Sequence, residues 1–133
     1  MGGHRYTIEL RYFGDSLDME RISREMMLEP STSLLPSITA TGRRRGAVWG
    51  YDGYDGEGFF EGWSSLEEGL AFLFGRLDAK IGTIRELSKD YESIWWCGHF
   101  QSSFDGGPRF GIDIIDGLHK FGIPIFIDNY FSE

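Results

Sequence analysis

A single cysteine, Cys97, is all the thiol this 133-residue chain carries. That excludes an internal disulfide framework and any zinc site built on several cysteines. Histidine is nearly as scarce. His4, His99 and His119 are scattered, without the HExxH-type spacing of a metal-binding helix. The glycines form neither GxGxxG nor a P-loop, so no nucleotide cradle is present. No cofactor and no metal are expected. Basic residues number 13 against 21 acidic ones, a formal charge of −8. Phosphate backbones attract clustered Lys and Arg, and the one basic run, Arg43-Arg44-Arg45, is short enough to be a solvated loop. No apolar run reaches membrane-spanning length. The N-terminus, MGGHRYTIEL, lacks the basic-then-apolar pattern of a secretory leader. The chain is therefore expected to be cytoplasmic, with no nucleic-acid and no membrane partner.

What the chain has in quantity is aromatic side chains. At 16% aromatic and 41% hydrophobic it is not disordered. Its length fits one domain, residues 1–133, that buries roughly 70% of its unfolded surface. The densest aromatic stretch is 44–64, with two Trp, two Tyr and two Phe among six Gly and four acidic residues. It has no His, Cys or Lys from which to build a reactive constellation.

The hydrophobic pattern predicts a succession of elements. Residues 5–13 alternate, with Tyr6, Ile8, Leu10 and Tyr12 on one face and Arg5, Thr7, Glu9 and Arg11 on the other, as in a half-buried strand. Asp18 can cap a helix with Glu20 in its first turn. Met19, Ile22, Met26 and Met27 would form its apolar stripe, with Arg21 and Arg24 in solvent, and Pro30 would follow its end. Residues 30–42, rich in Pro, Ser and Thr, read as a loop. Strands are predicted at 47–51 and 57–63, joined by the turn dipeptides Asp52-Gly53 and Asp55-Gly56.

Ser64 with Glu67, or Ser65 with Glu68, opens the longest helix through a capping box. Leu66, Leu70, Leu73, Leu77, Ile81, Ile84 and Leu87 give it one apolar face. Gly69, Gly75 and Gly82 weaken it, with a kink expected near Gly82. Residues 93–101 form a strand with Ile94, Trp96, Gly98 and Phe100 on one face and Trp95, Cys97 and His99 on the other. It is either central and covered on both sides, or covered once and partly exposed through Trp95. A short helix over 112–121 points Ile114, Ile115, Leu118 and Phe121 inward and ends at Gly122. A last strand, 123–131, has Pro124 near its start, which suits an edge. The order is β-α-β-β-α-β-α-β. The expected fold class is α+β: a mostly antiparallel sheet of about five strands with helices on one face.

This order, with RYTIELRYFGDSLDMERIS at the start, LEP at 28–30 and Gly42 after a variable loop, resembles the bacterial family called domain of unknown function 4279. The later segments GWSSLEEGLAFLFGRLDAKIGTIRELSKDY, ESIWWCGHFQS and FGIDIIDGLHKFGIPIFIDNYF continue the resemblance, which covers roughly residues 6 to 131. It implies a small α+β domain without an assigned activity or catalytic residue. It also implies kinship with members that look like immunity proteins neutralising a cognate toxin. The Gly-Tyr-Asp insert around 50–58 departs from the family pattern.

Few residues offer chemistry. Cys97 and His99 stand two apart on one strand face, as a nucleophile pair would, but no orienting acid accompanies them. Asp52, Asp55, Glu57 and Glu61 alternate with glycine without matching a calcium loop. Asp128 ends the last strand. The leading expectation is a non-enzymatic protein-binding module, an immunity protein by resemblance, that meets a basic partner. Tyr51, Asp52, Tyr54, Asp55, Glu57, Phe59 and Glu61 are the candidate partner-binding residues, with the three aromatics as anchors. The alternative is a small enzyme or small-molecule binder with a pocket near His99, Trp95 and the 104–109 loop. Nothing in the sequence indicates oligomeric state.

Overall fold

A computed structural model of the chain describes residues 3–54 and 62–131. Strand β1 (His4–Gly14) buries Tyr6, Ile8, Leu10 and Tyr12, so the alternation read from the sequence holds. Helix α1 (Met19–Met26) is capped by Asp18, whose Oδ1 accepts the Arg21 N–H at 3.0 Å. It buries Ile22 and Met26. Met27 does not extend the stripe. It takes the left-handed conformation at the helix end (φ 58°) and its side chain is 81% exposed. Arg21 is not merely solvated either. It binds Glu25 and Asp90, each at 2.8 Å, and so ties α1 to the end of a later helix.

The expected loop at 30–42 contains two short strands, β2 (Thr32–Leu34) and β3 (Ser37–Ile38). β3 pairs with β4 (Arg44–Arg45) in a separate two-stranded ladder. The basic run is thus part of a small exposed hairpin, with Arg44 reaching Asp15 at 3.3 Å. Pairing with a neighbour made strands of residues whose Ser, Thr and Pro content predicts a loop, because sheet pairing is decided by tertiary context. Strand β5 (Ala47–Tyr51) follows, as predicted. Of the strand expected at 57–63 and the turn at Asp55-Gly56, residues 55–61 lie outside the described residues. Trp63 forms a lone antiparallel bridge to Tyr6, with backbone hydrogen bonds of 2.6 and 2.8 Å.

Helix α2 (Leu66–Leu77) starts in the second of the two predicted registers. Ser65 is the cap and accepts the Glu68 N–H at 3.2 Å. The helix breaks before Gly82, at a 3-10 turn over Asp78–Lys80, and resumes as α3 (Ile81–Asp90). The tighter turn re-phases the apolar stripe from Leu77 to Ile84 and Leu87, all buried. Strand β6 (Glu92–Gln101), helix α4 (Ile112–Phe121) and strand β7 (Ile125–Phe131) complete the chain. Gly122 ends α4 at φ 72°, as expected, and β7 is an edge strand. Ile115 is a correction: it is 47% exposed, because α4 rests on the sheet through Ile114 and Phe121.

The main sheet has the order β2-β5-β1-β6-β7. Three of its pairings are antiparallel, and β6–β7 is parallel, with α4 as the crossover. The four helices cover one face, and a single core joins their apolar stripes to Trp49, Tyr51, Trp95 and Cys97. The Trp95 indole lies edge-on to Phe74 and Phe121, with centroids 5.2 and 5.4 Å away. β6 is therefore covered once. Its exposed face is the Ile94–Trp96–Phe100 face, while Trp95 is wholly buried.

Candidate interaction surface

Among the described residues helices cover only one face of the sheet, so alternation along each strand delivers every second residue to the other face. From β1 come Arg5, Thr7, Glu9, Arg11 and Phe13; from β6, Ile94, Trp96, Gly98 and Phe100; from β7, Phe126, Asp128 and Tyr130. These side chains organise one another. The Arg11 guanidinium lies 4.0 Å from the Trp96 ring centre and binds Glu9 Oε1 at 2.8 Å. Thr32 donates to the other Glu9 oxygen at 2.6 Å. Arg5 sits over Phe100, which stacks on Tyr130 at 4.9 Å, and the Tyr130 hydroxyl donates to Asp128 at 2.6 Å. Gly98 is what lets the rings lie flat. A Cβ there would come within 2.7 to 3.0 Å of Thr7, Trp96 and Phe100.

Two grooves open on this face. One of about 390 Å³ lies between Arg11, Phe13, Val48, Glu92 and Ile94. The other, of about 370 Å³, is lined by Thr7, Ile8, Glu9, Arg11, Asp52, Tyr54, Trp63 and Trp96. The second lies beside the stretch of β1 between its pairings with Trp63 and with β5. β5 pairs with β1 only from Leu10 onward, and Trp63 pairs with Tyr6. Among the described residues no strand pairs with β1 on this side at Thr7, Ile8 or Glu9.

The predicted binding residues are divided by the fold. Tyr51 is a core residue, 2% exposed and stacked near Trp49, because its position in β5 faces the helices. That burial removes it as a surface anchor. Asp52 and Tyr54 reach the rim of the second groove. Asp52 Oδ1 accepts the Ser31 hydroxyl and the Tyr54 N–H, both at 2.9 Å, which closes the turn around Gly53 (φ 87°). The Tyr54 ring stacks on Phe72 at 5.1 Å. Burial, then the charge of Asp52, push its phenol pKa up. Asp55, Glu57, Phe59 and Glu61 lie outside the described residues.

His99 and Trp95, the centre of the alternative reading, point into the helix-covered side. The His99 ring is 3% exposed and stacked between Tyr6 and His4. Both its nitrogens are engaged, Nε2 with His4 and Nδ1 with Asn129, each at 2.8 Å. His4 in turn donates through Nε2 to the Asp105 carbonyl. Burial pushes the Cys97 thiol up to about 12, so it stays protonated at neutral pH and is no nucleophile. No group of three or more His, Cys, Asp or Glu suited to a metal ion exists among the described residues. No helix there is long and apolar enough to cross a membrane.

A family model, domain of unknown function DUF4279, matches residues 4–132. The chain belongs to this family. No curated protein and no solved structure matches it. The DUF4279 match spans every strand of the sheet and every residue lining the two grooves.

Sequence reasoning missed Trp96, Phe100, Phe126 and Tyr130 as surface residues of this DUF4279 domain. Their signal was the shared parity of ESIWWCGHFQ and IPIFIDNYF. Only the parallel β6–β7 register, Trp96 beside Phe126 and Phe100 beside Tyr130, joins those two rows into one surface.

Proposed function

We propose that this domain is a non-enzymatic, cytoplasmic module that binds a basic protein through the uncovered face of its sheet. One observation carries the proposal: a row of aromatic side chains on a sheet face that no helix among the described residues covers. Monomers seldom expose contiguous apolar patches beyond a few hundred Å², and larger ones mark interaction sites. Tyr, Trp, Phe and Arg are the residues enriched at interface centres. Here they are stacked on one another before any partner arrives, so little side-chain freedom is lost on docking. The formal charge of −8 would steer a basic partner toward the molecule. A toxin domain is one such partner, and covering its active site would neutralise it.

The test is a pull-down from the source cells followed by affinity measurement on variants. Phe100→Ala and Phe126→Asp should each weaken the captured partner about tenfold or more, equivalent to 1.4 kcal/mol. Arg24→Ala, on the exposed side of α1, should leave affinity unchanged. A partner indifferent to both sheet variants would place the interface elsewhere. Turnover of a substrate that is lost in His99→Ala, with the fold intact, would favour an enzyme instead.

A further inference from the structure

Strand β7 closes the sheet with a long edge. The opposite edge, β2, is only three residues long and is soon followed by Pro36, which leaves little backbone to pair with. β7 runs for seven residues, IFIDNYF, with none of the lysine, proline or glycine that blunts an edge. The Trp95 N–H donates to the Pro124 carbonyl at 2.9 Å, and Trp95 pairs with Ile125. A parallel ladder in that register turns the N–H and C=O groups of Phe126, Asp128 and Tyr130 toward β6. Those of Ile125, Ile127, Asn129 and Phe131 point outward, and no strand among the described residues pairs with them. The edge also lies beyond the reach of residues 55–61. Their neighbours Tyr54 and Gly62 stand by Trp63 and Tyr6, on the β5 side of β1. From there the far side of β7 is four strand spacings, about 19 Å, away. A return path of about 38 Å exceeds the roughly 29 Å that eight peptide steps can span.

One charge sits on this edge. Asp128 is half-buried on the open face between Phe126 and Tyr130, and its carboxylate accepts the Tyr130 hydroxyl at 2.6 Å. No Lys, Arg or His binds it among the described residues, and residues 55–61 contain none of the three. A strand laid antiparallel along the edge would bring its side chains closest at Phe126, Asp128 and Tyr130, whose own peptide groups point away from it. That charge disfavours a second copy. Pairing all seven residues of two β7 strands sets Asp128 directly against Asp128, and like charges so placed are destabilising. A basic side chain at the same position is attracted instead, in keeping with the formal charge of −8.

We infer that β7 receives an extended segment of the basic partner as a sixth, antiparallel strand, with an arginine or lysine opposite Asp128 and apolar side chains opposite Phe126 and Tyr130. Backbone bonds to Ile125, Ile127, Asn129 and Phe131 hold the segment, and its alternate side chains select it. The added strand continues the aromatic face by one row. The inference rests on the reading of the domain as a binder of a basic protein, and it specifies how that partner's backbone docks.

The probe is the peptide acetyl-TVTRTVT-amide, titrated into the isotope-labelled domain while backbone amides are followed by NMR. The amide protons of Ile125, Ile127, Asn129 and Phe131 should move downfield and gain protection from exchange. Those of Phe126, Asp128 and Tyr130, already bonded to β6, should move little. The dissociation constant should be on the order of 0.1–1 mM, as suits a short peptide that is ordered on binding. Acetyl-TVTETVT-amide should bind about tenfold more weakly or worse. Asp128→Lys should reverse that preference and hold the glutamate peptide more tightly, a gain that a misfolded variant could not show. N-methylation at the third and fifth residues of the arginine peptide removes donors aimed at β7 and should abolish binding. Equal affinity for the two peptides, an unchanged preference in Asp128→Lys, tolerance of N-methylation, or no response at the four edge amides would each overturn the inference. So would concentration-dependent protection of those amides without peptide, which assigns the edge to a second copy. The two readings fail separately. A partner that depends on Phe100 and Phe126 but leaves the four edge amides unprotected removes the added strand and keeps the docking face. Peptide pairing at the edge of a domain whose partner ignores Phe100 and Phe126 supports the added strand and removes the face.

Discussion

Three helical glycines that look alike in the sequence should respond to alanine in opposite ways. An alanine in a helix interior is favoured over glycine by about 0.5–1 kcal/mol, because glycine loses more backbone freedom on folding. Gly75 in α2 and Gly82 in α3 have nothing within 4 Å of a Cβ, so alanine there should stabilise by up to about that amount. Gly69 is different. Its Cβ would come within 2.3 Å of Ile8 Cδ1 and 2.7 Å of Trp63 Cδ1, both fixed between α2 and the sheet. Overlaps that deep cannot stand, so the Ile8 and Trp63 side chains or the helix itself must shift. Overpacking of this kind costs about 1–3 kcal/mol, more than the propensity gain, and Gly69→Ala should be net destabilising by about 1–2 kcal/mol. Urea unfolding followed by tryptophan fluorescence reads this as a lower midpoint at constant slope. Ile8→Val removes the nearest methyl, so the double variant should recover part of the loss, a non-additivity characteristic of touching residues. If Gly69→Ala proves as stable as Gly75→Ala, α2 does not rest on β1 at Ile8.

Two further outcomes follow from the caps and the buried titratable groups. Ser65→Ala should cost about 1 kcal/mol and Ser64→Ala markedly less in a thermal melt, since Ser65 alone accepts the backbone N–H of Glu68. Burial pushes the Tyr12 phenol up to about 12 from 10.0 and the Cys97 thiol up to about 12 from 9.0. The unfolded chain therefore loses these protons first as pH rises. Stability should be insensitive to both groups below about pH 9 and should fall progressively from there to pH 12. Chemical denaturation across that range checks the sign, and Cys97→Ala should remove the part of the decline that starts near pH 9.

Much of the fold was legible in the chain because it is written in local periodicity. The alternation of β1, the Asp18 cap, the 112–121 helix and its Gly122 exit depend on neighbours a few residues apart. The same reasoning failed where distant partners decide. Thr32–Leu34 became a strand only because β5 lay beside it. Gly69, read as a weakness in a helix, is small because Ile8 and Trp63 press against it from elsewhere in the chain. Tyr51 could not be told from Tyr54 by composition, although one entered the core and the other stayed at a groove rim.

The chain alone thus specifies its acidity, its α+β class, its main helices and strands, and the scarcity of catalytic groups. Those properties follow from composition and short-range pattern. Which face of β6 was left open, and which rows of aromatics became neighbours, was settled only by long-range packing. Strand order and register are set by burying the helices' apolar stripes against one side of the sheet, and that contest is settled among residues far apart in the chain. The pairing of Trp96 with Arg11 exists at no shorter range.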